Sequence, residues 1–149
     1  MSEITNFLTE DSIIMDCDSK SQKNTLEVIS NKMAELTSTN KDEIFQKLYE
    51  REKLGTTAFG NGIAIPHARI EGIQNAKIII LKLTKAIDFN SIDGNKVDIV
   101  MSLFVPNDNN KMHVELLSSI ASLLDNQVFR EKIRTANTAS DVMMIIDSH

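Results

Sequence analysis

The chain has 149 residues, 42% of them hydrophobic and 25% charged, with a formal net charge of −5. These are ordinary values for one globular domain spanning 1–149, large enough to bury roughly 68–70% of its unfolded surface without staples, and they exclude a disordered chain. The acidic balance and scattered lysines offer no basic patch for nucleic acid, and apolar blocks such as Ile78 to Leu81 are far too short to cross a bilayer. Met1-Ser2-Glu3-Ile4 places no basic region ahead of an apolar stretch, so no signal peptide is expected and the expected location is cytoplasmic.

Ile13-Ile14-Met15 is the first candidate strand. Cys17 follows as the only cysteine, which rules out an internal disulfide and any CxxC metal or redox pair. Ser19-Lys20-Ser21-Gln22 has capping-box spacing, with Ser19 read as the N-cap, and Leu26, Ile29, Met33 and Leu36 then make one apolar helical stripe. Asn40-Lys41-Asp42-Glu43 repeats the start signal ahead of Ile44, Phe45 and Leu48, and Gly55 is the expected stop. Arg51 falls in the last turn of that helix. Gly62 to Ile65 reads as a short buried strand ended by Pro66, which has no N–H for a sheet ladder.

Lys77 to Ala86 and Val97 to Val105 are β-branched and nearly continuous in apolar residues, as suits strands covered on both faces. The turn chemistry of Ser91-Ile92-Asp93-Gly94-Asn95 between them predicts an antiparallel pair. After Pro106 the chain turns helical. Asn109 or Asn110 can cap a helix carrying His113, Leu116, Leu117, Ile120, Leu123 and Leu124. A short helix over Val128 to Arg134 and a last one opened by Thr138-Ala139-Ser140-Asp141 complete the chain. Strands in the middle with helices before and after describe an α/β sandwich, a mixed β-sheet flanked by helices on both faces.

His67, directly after the short strand and Pro66, should stand where the backbone leaves the sheet, its imidazole offered to a surface cleft. On position alone it is more readily a histidine that ends a strand and bonds to backbone, since lone histidines are common. Its neighbourhood favours chemistry, because Arg51 and the run Gly55-Thr56-Thr57-Ala58-Phe59-Gly60-Asn61-Gly62 supply a guanidinium, hydroxyls and mobile amides. A nucleophilic imidazole beside anion-binding groups is what phosphoryl transfer through histidine requires. Thr56, Thr57 and Asn61 are the candidate phosphate-binding residues of that run. His113 shares a helical face with Leu116, Leu117 and Ile120, so it is either a satisfied boundary imidazole or a ligand in the first turn, where the helix dipole favours negative charge. His149, at the C-terminus, is assigned no role.

Other chemistries lack their residues. His67, His113 and His149 have no metal-ligand spacing, and neither HExxH nor a Cys/His cluster is present. Gly55 to Gly62 is followed by no Gly-Lys-Ser/Thr, no helix of a dinucleotide fold and no GxSxG elbow. No cofactor and no metal are expected.

The stretch from Arg51 to Ala68, REKLGTTAFGNGIAIPHA, resembles the signature of type-2 IIA domains of the bacterial phosphotransferase system, the fructose/mannitol class, and most of all its nitrogen-regulatory members. Val105-Pro106 followed by His113 and a leucine-rich helix is similar to the family's second landmark, and the likeness covers about residues 9–147. It implies a phosphoryl group carried on Nε2 of His67, with His113 and Arg51 beside it. It also implies an HPr-type phosphohistidine donor, and either regulatory target proteins or a IIB domain downstream. Asn61 stands where mannitol-type members carry glutamate, and Ala68 replaces the more usual glycine. A free-standing chain with the regulatory type of loop points to regulation. The alternative is a fructose-type component passing phosphate to a IIB partner for sugar uptake, and a third reading is a binding module that no longer accepts phosphate.

Overall fold

Alternation along two central strands sets the layers of the fold. The computed structural model describes residues 3–108 and 110–149. In chain order it contains β1 (Ile13–Cys17), α1 (Gln22–Thr37), α2 (Lys41–Lys53), β2 (Ile63–Ala64), β3 (His67–Ile70), β4 (Lys77–Ile87), β5 (Val97–Pro106), α3 (Asn110–Asp125), α4 (Gln127–Thr135) and α5 (Ala139–Asp147). Two 3₁₀ turns, Glu3–Phe7 and Glu10–Ser12, precede β1. Successive strand side chains point to opposite faces. Ile78 and Ile80 of β4 and Ile99, Met101 and Leu103 of β5 therefore pack with Leu116, Ile120, Phe129 and Val142 of α3, α4 and α5. Ile79, Leu81, Val100 and Phe104 pack on the other side with Leu26, Ile29, Met33, Ile44 and Leu48 of α1 and α2. Each face has its own apolar core.

The sheet order is β1-β4-β5, with β2 and β3 both laid along the far side of β5. β4 and β5 are antiparallel, as the intervening turn predicts, while β1 on β4 and β2 and β3 on β5 are parallel. The sheet is mixed and carries helices on both faces. Cys17 is buried, and that burial, more than the neighbouring Asp18, pushes its thiol pKa up.

Two local expectations need correction. The first helix is capped by Ser21, whose side chain accepts from the Asn24 N–H, and not by Ser19. Ser19 is buried and spends its hydroxyl on Thr25 Oγ1 at 2.6 Å, so tertiary contact removes it from capping. Asn40 and Thr138 cap α2 and α5 as their spacing predicts. Asn110 is the first residue of α3; Asn109, like Met1 and Ser2, lies outside the described residues.

The second correction concerns Pro66. Pairing does not end there, because His67 opens β3 and lies opposite Leu103 in a parallel ladder that runs on to Ile70. Pro66 is asked only for its carbonyl, which accepts from the Leu103 N–H at 3.0 Å and the Ser102 hydroxyl at 2.9 Å. An edge strand tolerates the missing donor. The chain pauses in the ladder and resumes.

The loop ahead of β2 is clamped from outside. Arg134 of α4 reaches Asp98 through Nε and Nη2, at 2.9–3.2 Å, and Nη2 also donates to the Asn61 carbonyl at 2.7 Å. Asp93 accepts the Asn61 N–H at 3.0 Å, and its several hydrogen bonds hold that carboxyl down at about 2. Gly62 sits at φ 77°, where an added Cβ would lie 2.5 Å from Arg134 Nη2 and 3.1 Å from Asp98 Oδ1. Gly62→Ala is therefore expected to cost about 1–3 kcal/mol, the range for strained backbone, plus the disrupted clamp. Gly72, at φ 92° with nothing within 4 Å of a built Cβ, supplies the control for backbone strain alone. Urea denaturation should show Gly62→Ala losing more than Gly72→Ala; equal losses would mean that the clamp contributes nothing.

Candidate functional site

His67 is delivered by the edge strand and gripped at both ring nitrogens. Nδ1 lies 2.8 Å from the Ile65 carbonyl, and Arg51 Nε lies 3.3 Å from Nε2. A carbonyl can only accept and a guanidinium can only donate, so the proton is on Nδ1 and Nε2 keeps its lone pair. Arg51 is itself steadied by an Nη1–H bond to the Gly55 carbonyl at 2.8 Å. Burial lowers the His67 pKa from its ordinary value; the Ile65 bond opposes this, and the Arg51 and His113 charges add to it. The imidazole is 7% exposed yet lines an open cleft.

His113 meets it from the other face of the sheet. The two rings stand edge to face, 88° apart with centroids 5.4 Å apart. His113 lies in the first turn of α3, and Arg69 Nε donates to its Nδ1 at 3.4 Å. Partial burial lowers the His113 pKa, with the Arg69 cation adding to the effect. Arg51 from α2, His67 and Arg69 from β3, and His113 from α3 thus converge at one sheet edge.

Their cleft has a volume of ≈ 630 Å³. Lys47, Arg51, Lys53 and Arg69 line it against one carboxylate, Glu50, so an acidic chain has a cationic mouth. Among the described residues no group of three His, Cys, Asp or Glu side chains could hold a metal ion. No helix among them is long and apolar enough to cross a membrane.

Three sequence candidates are not brought to the cleft. Thr56 gives its hydroxyl to the Phe89 carbonyl, at 2.8 Å, and accepts the Ala58 N–H. Thr57 is buried and bonded through both hydroxyl and amide to the Glu52 carboxylate. Asn61 is held at its backbone by Asp93 and Arg134. None of the three is among the cleft-lining residues. Of the apolar rim candidates, Ile63 and Ile70 are core, Phe59 is half exposed but away from the lining, and Leu54, 86% exposed, takes the place expected of them.

Sequence reasoning missed Arg69 and Glu52. Arg69 was within reach, since it stands two residues after His67 and strand alternation puts both on one face. Glu52 had no local signal. Burial raises its pKa against bonds from Thr57 and Gln22, and Gln22 in turn accepts from Asn90. That network ties the end of α2 to α1 and to the loop after β4.

The family model described as phosphoenolpyruvate-dependent sugar phosphotransferase system, EIIA 2, matches residues 6–149. The chain belongs to this family. A nitrogen regulatory protein of Pseudomonas aeruginosa is 40% identical over 147 residues, covering 98% of this chain and 96% of the relative. The crystal structure of nitrogen regulatory protein IIA-Ntr from Neisseria meningitidis superposes with a TM-score of 0.92 at 30% identity, covering 97% of this chain and 99% of that one. IIA mannitol of Escherichia coli, solved in complex with phosphorylated enzyme IIB mannitol, shares the fold at a TM-score of 0.78 and 13% identity, covering 96% and 100%.

In this IIA domain the folded state binds fewer protons at His67 than the unfolded chain does, because the folded pKa is lowered. Its contribution to stability is then fully present above about 6.5 and is lost as pH falls through the folded value. A ring-nitrogen NMR titration should find His67 protonating below about 6.5 from an Nδ1–H tautomer, and Arg51→Leu should move the midpoint upward. A wild-type midpoint at or above that value, or one that Arg51→Leu leaves in place, would contradict the two-sided grip.

Proposed function

We propose that this chain is a phosphocarrier that accepts a phosphoryl group on Nε2 of His67 from an HPr-type phosphohistidine donor and acts as a nitrogen-type regulatory IIA protein. The observation that carries this reading is the unprotonated Nε2 facing the Arg51 guanidinium inside a cationic cleft. The Nε2 lone pair attacks phosphorus in line, and the electron pair of the breaking P–N bond returns to the donor's ring nitrogen. Nothing further has to be made or broken, so the protein's work is positioning and charge stabilisation. Arg51 neutralises charge on the transferring group, and His113 donates to its oxygens.

The Ile65 carbonyl supports the product as well as the nucleophile. Once Nε2 bears phosphorus, a proton kept on Nδ1 still has its acceptor 2.8 Å away, so the ring need not turn. The regulatory half of the proposal is supported by near-complete coverage of relatives named nitrogen regulatory proteins. Phosphorylation would add a dianion to a cleft whose charged lining residues are otherwise mostly cationic, changing which protein surfaces can dock there.

Incubation with phosphoenolpyruvate, enzyme I and an HPr-type donor should add one acid-labile phosphoryl group to wild type by intact mass, and none to His67→Ala. His113→Ala should still be modified, but about 10²-fold more slowly, the usual cost of losing one preorganised donor. If wild type stays unmodified while the donor phosphorylates another acceptor, the carrier reading fails.

A further inference from the structure

We propose that Arg69 is a positioning residue for phosphoryl transfer, holding His113 as its Nε2–H tautomer so that a donor is ready for the phosphoryl oxygens beside His67. This rests on the phosphocarrier reading above. Arg69 Nε lies 3.4 Å from His113 Nδ1, and an arginine N–H has nothing to accept with, so Nδ1 must be the unprotonated nitrogen. The proton of the neutral ring is then on Nε2. A bond of this length is at the outer limit, as catalytic hydrogen bonds often are before the reacting group arrives.

The arrangement mirrors the one at His67. Arg51 faces Nε2 of His67 and makes that nitrogen the lone-pair side, while Arg69 faces Nδ1 of His113 and makes the opposite nitrogen the N–H side. Two imidazoles 5.4 Å apart are thereby given complementary forms, one an acceptor of phosphorus and the other a hydrogen-bond donor. Arg69 is placed for this by register. It pairs with Val105 where His67 pairs with Leu103, so both side chains leave the same face of the edge strand about 6.6 Å apart along it. Among the described residues Arg69 forms no ion pair, and it is the exposed residue of β3, so it has no carboxylate partner to satisfy and no core to fill.

The test uses the whole chain with labelled histidine nitrogens, together with the rate of phosphoryl acceptance from the phosphorylated HPr-type donor. Wild type should show His113 with Nδ1 unprotonated and Nε2 protonated. In Arg69→Ala the His113 nitrogens should move toward a tautomer mixture while the His67 nitrogens stay in place. Acceptance should slow about 10-fold, a fraction of what general acid or donor groups contribute, with the end point still one group per chain. Arg69→Lys, which restores a charged donor, should recover part of both signals. Retained amide chemical shifts away from the cleft will show that Arg69→Ala folds. Unchanged His113 nitrogens, or an unchanged rate, in Arg69→Ala overturns the assignment; a slower rate with unchanged nitrogens does so as well, since Arg69 would then act without His113. A wild type that accepts no phosphoryl group from a competent donor overturns the carrier reading and the transfer role with it.

Discussion

Between the Ile65 carbonyl and the Arg51 guanidinium, the His67 imidazole has one neutral form open to it. Either partner alone would bias the ring; together they leave no second tautomer that avoids a donor–donor or acceptor–acceptor clash. The cost of burying an ionised imidazole works in the same direction, keeping the ring neutral where it would otherwise begin to charge. The proposed chemistry needs a free Nε2, and it is the backbone two residues upstream that secures it. Proline helps here by interrupting the ladder without ending it, so that residue 65 and residue 67 stay on one edge.

That edge is where the two cores meet. α2 packs on one face of the sheet and α3 on the other, and on β3 one side chain, His67, is reached from both. Arg51 arrives from the first layer and His113 from the second. The supporting bonds tie the run before β2 to near and distant parts of the chain: Arg51 to the Gly55 carbonyl, Thr57 and Gln22 to Glu52, Arg134 to the Asn61 carbonyl. The glycine- and threonine-rich run between α2 and β2 is thus a structural strap that sets where Arg51 ends and where β2 begins. Its hydroxyls are spent on that task, which is why they do not face the cleft.

Charge is distributed against the overall balance. The chain is net −5, yet four cationic side chains and a single carboxylate line the mouth of the cleft. Two unit charges 4 Å apart at the effective dielectric of a protein surface interact by about 4 kcal/mol. A dianion held beside Arg51 would draw on that attraction before desolvation is counted, whereas an exposed ion pair contributes about 0–1 kcal/mol net. Raised potential at the mouth also favours the approach of an acidic partner surface over a basic one. The exposed Leu54 on the same rim gives such a partner an apolar point of contact.

Much of this could be read before any folding was considered. The apolar runs of β4 and β5, the stripes of α1 to α3, and caps such as Asn40 and Thr138 are properties of neighbouring residues, and they survive in the structure within a residue or two. His67, Arg51 and His113 could be picked out as candidates from their residue types, and all three line one cleft. Local pattern failed where a side chain had two uses open to it. Ser19 could cap or pack, Thr56 and Thr57 could bind an anion or tie a loop, and Ile63 and Ile70 could rim a cleft or fill a core. The sequence by itself determined the elements, their layers and which side chains are candidates for chemistry, since those follow from periodicity and functional groups. Only the tertiary structure decided that Arg51, His113 and Arg69 meet at one strand and that each arginine faces one ring nitrogen of its histidine, because those contacts join groups 16 and 44 positions apart in the chain.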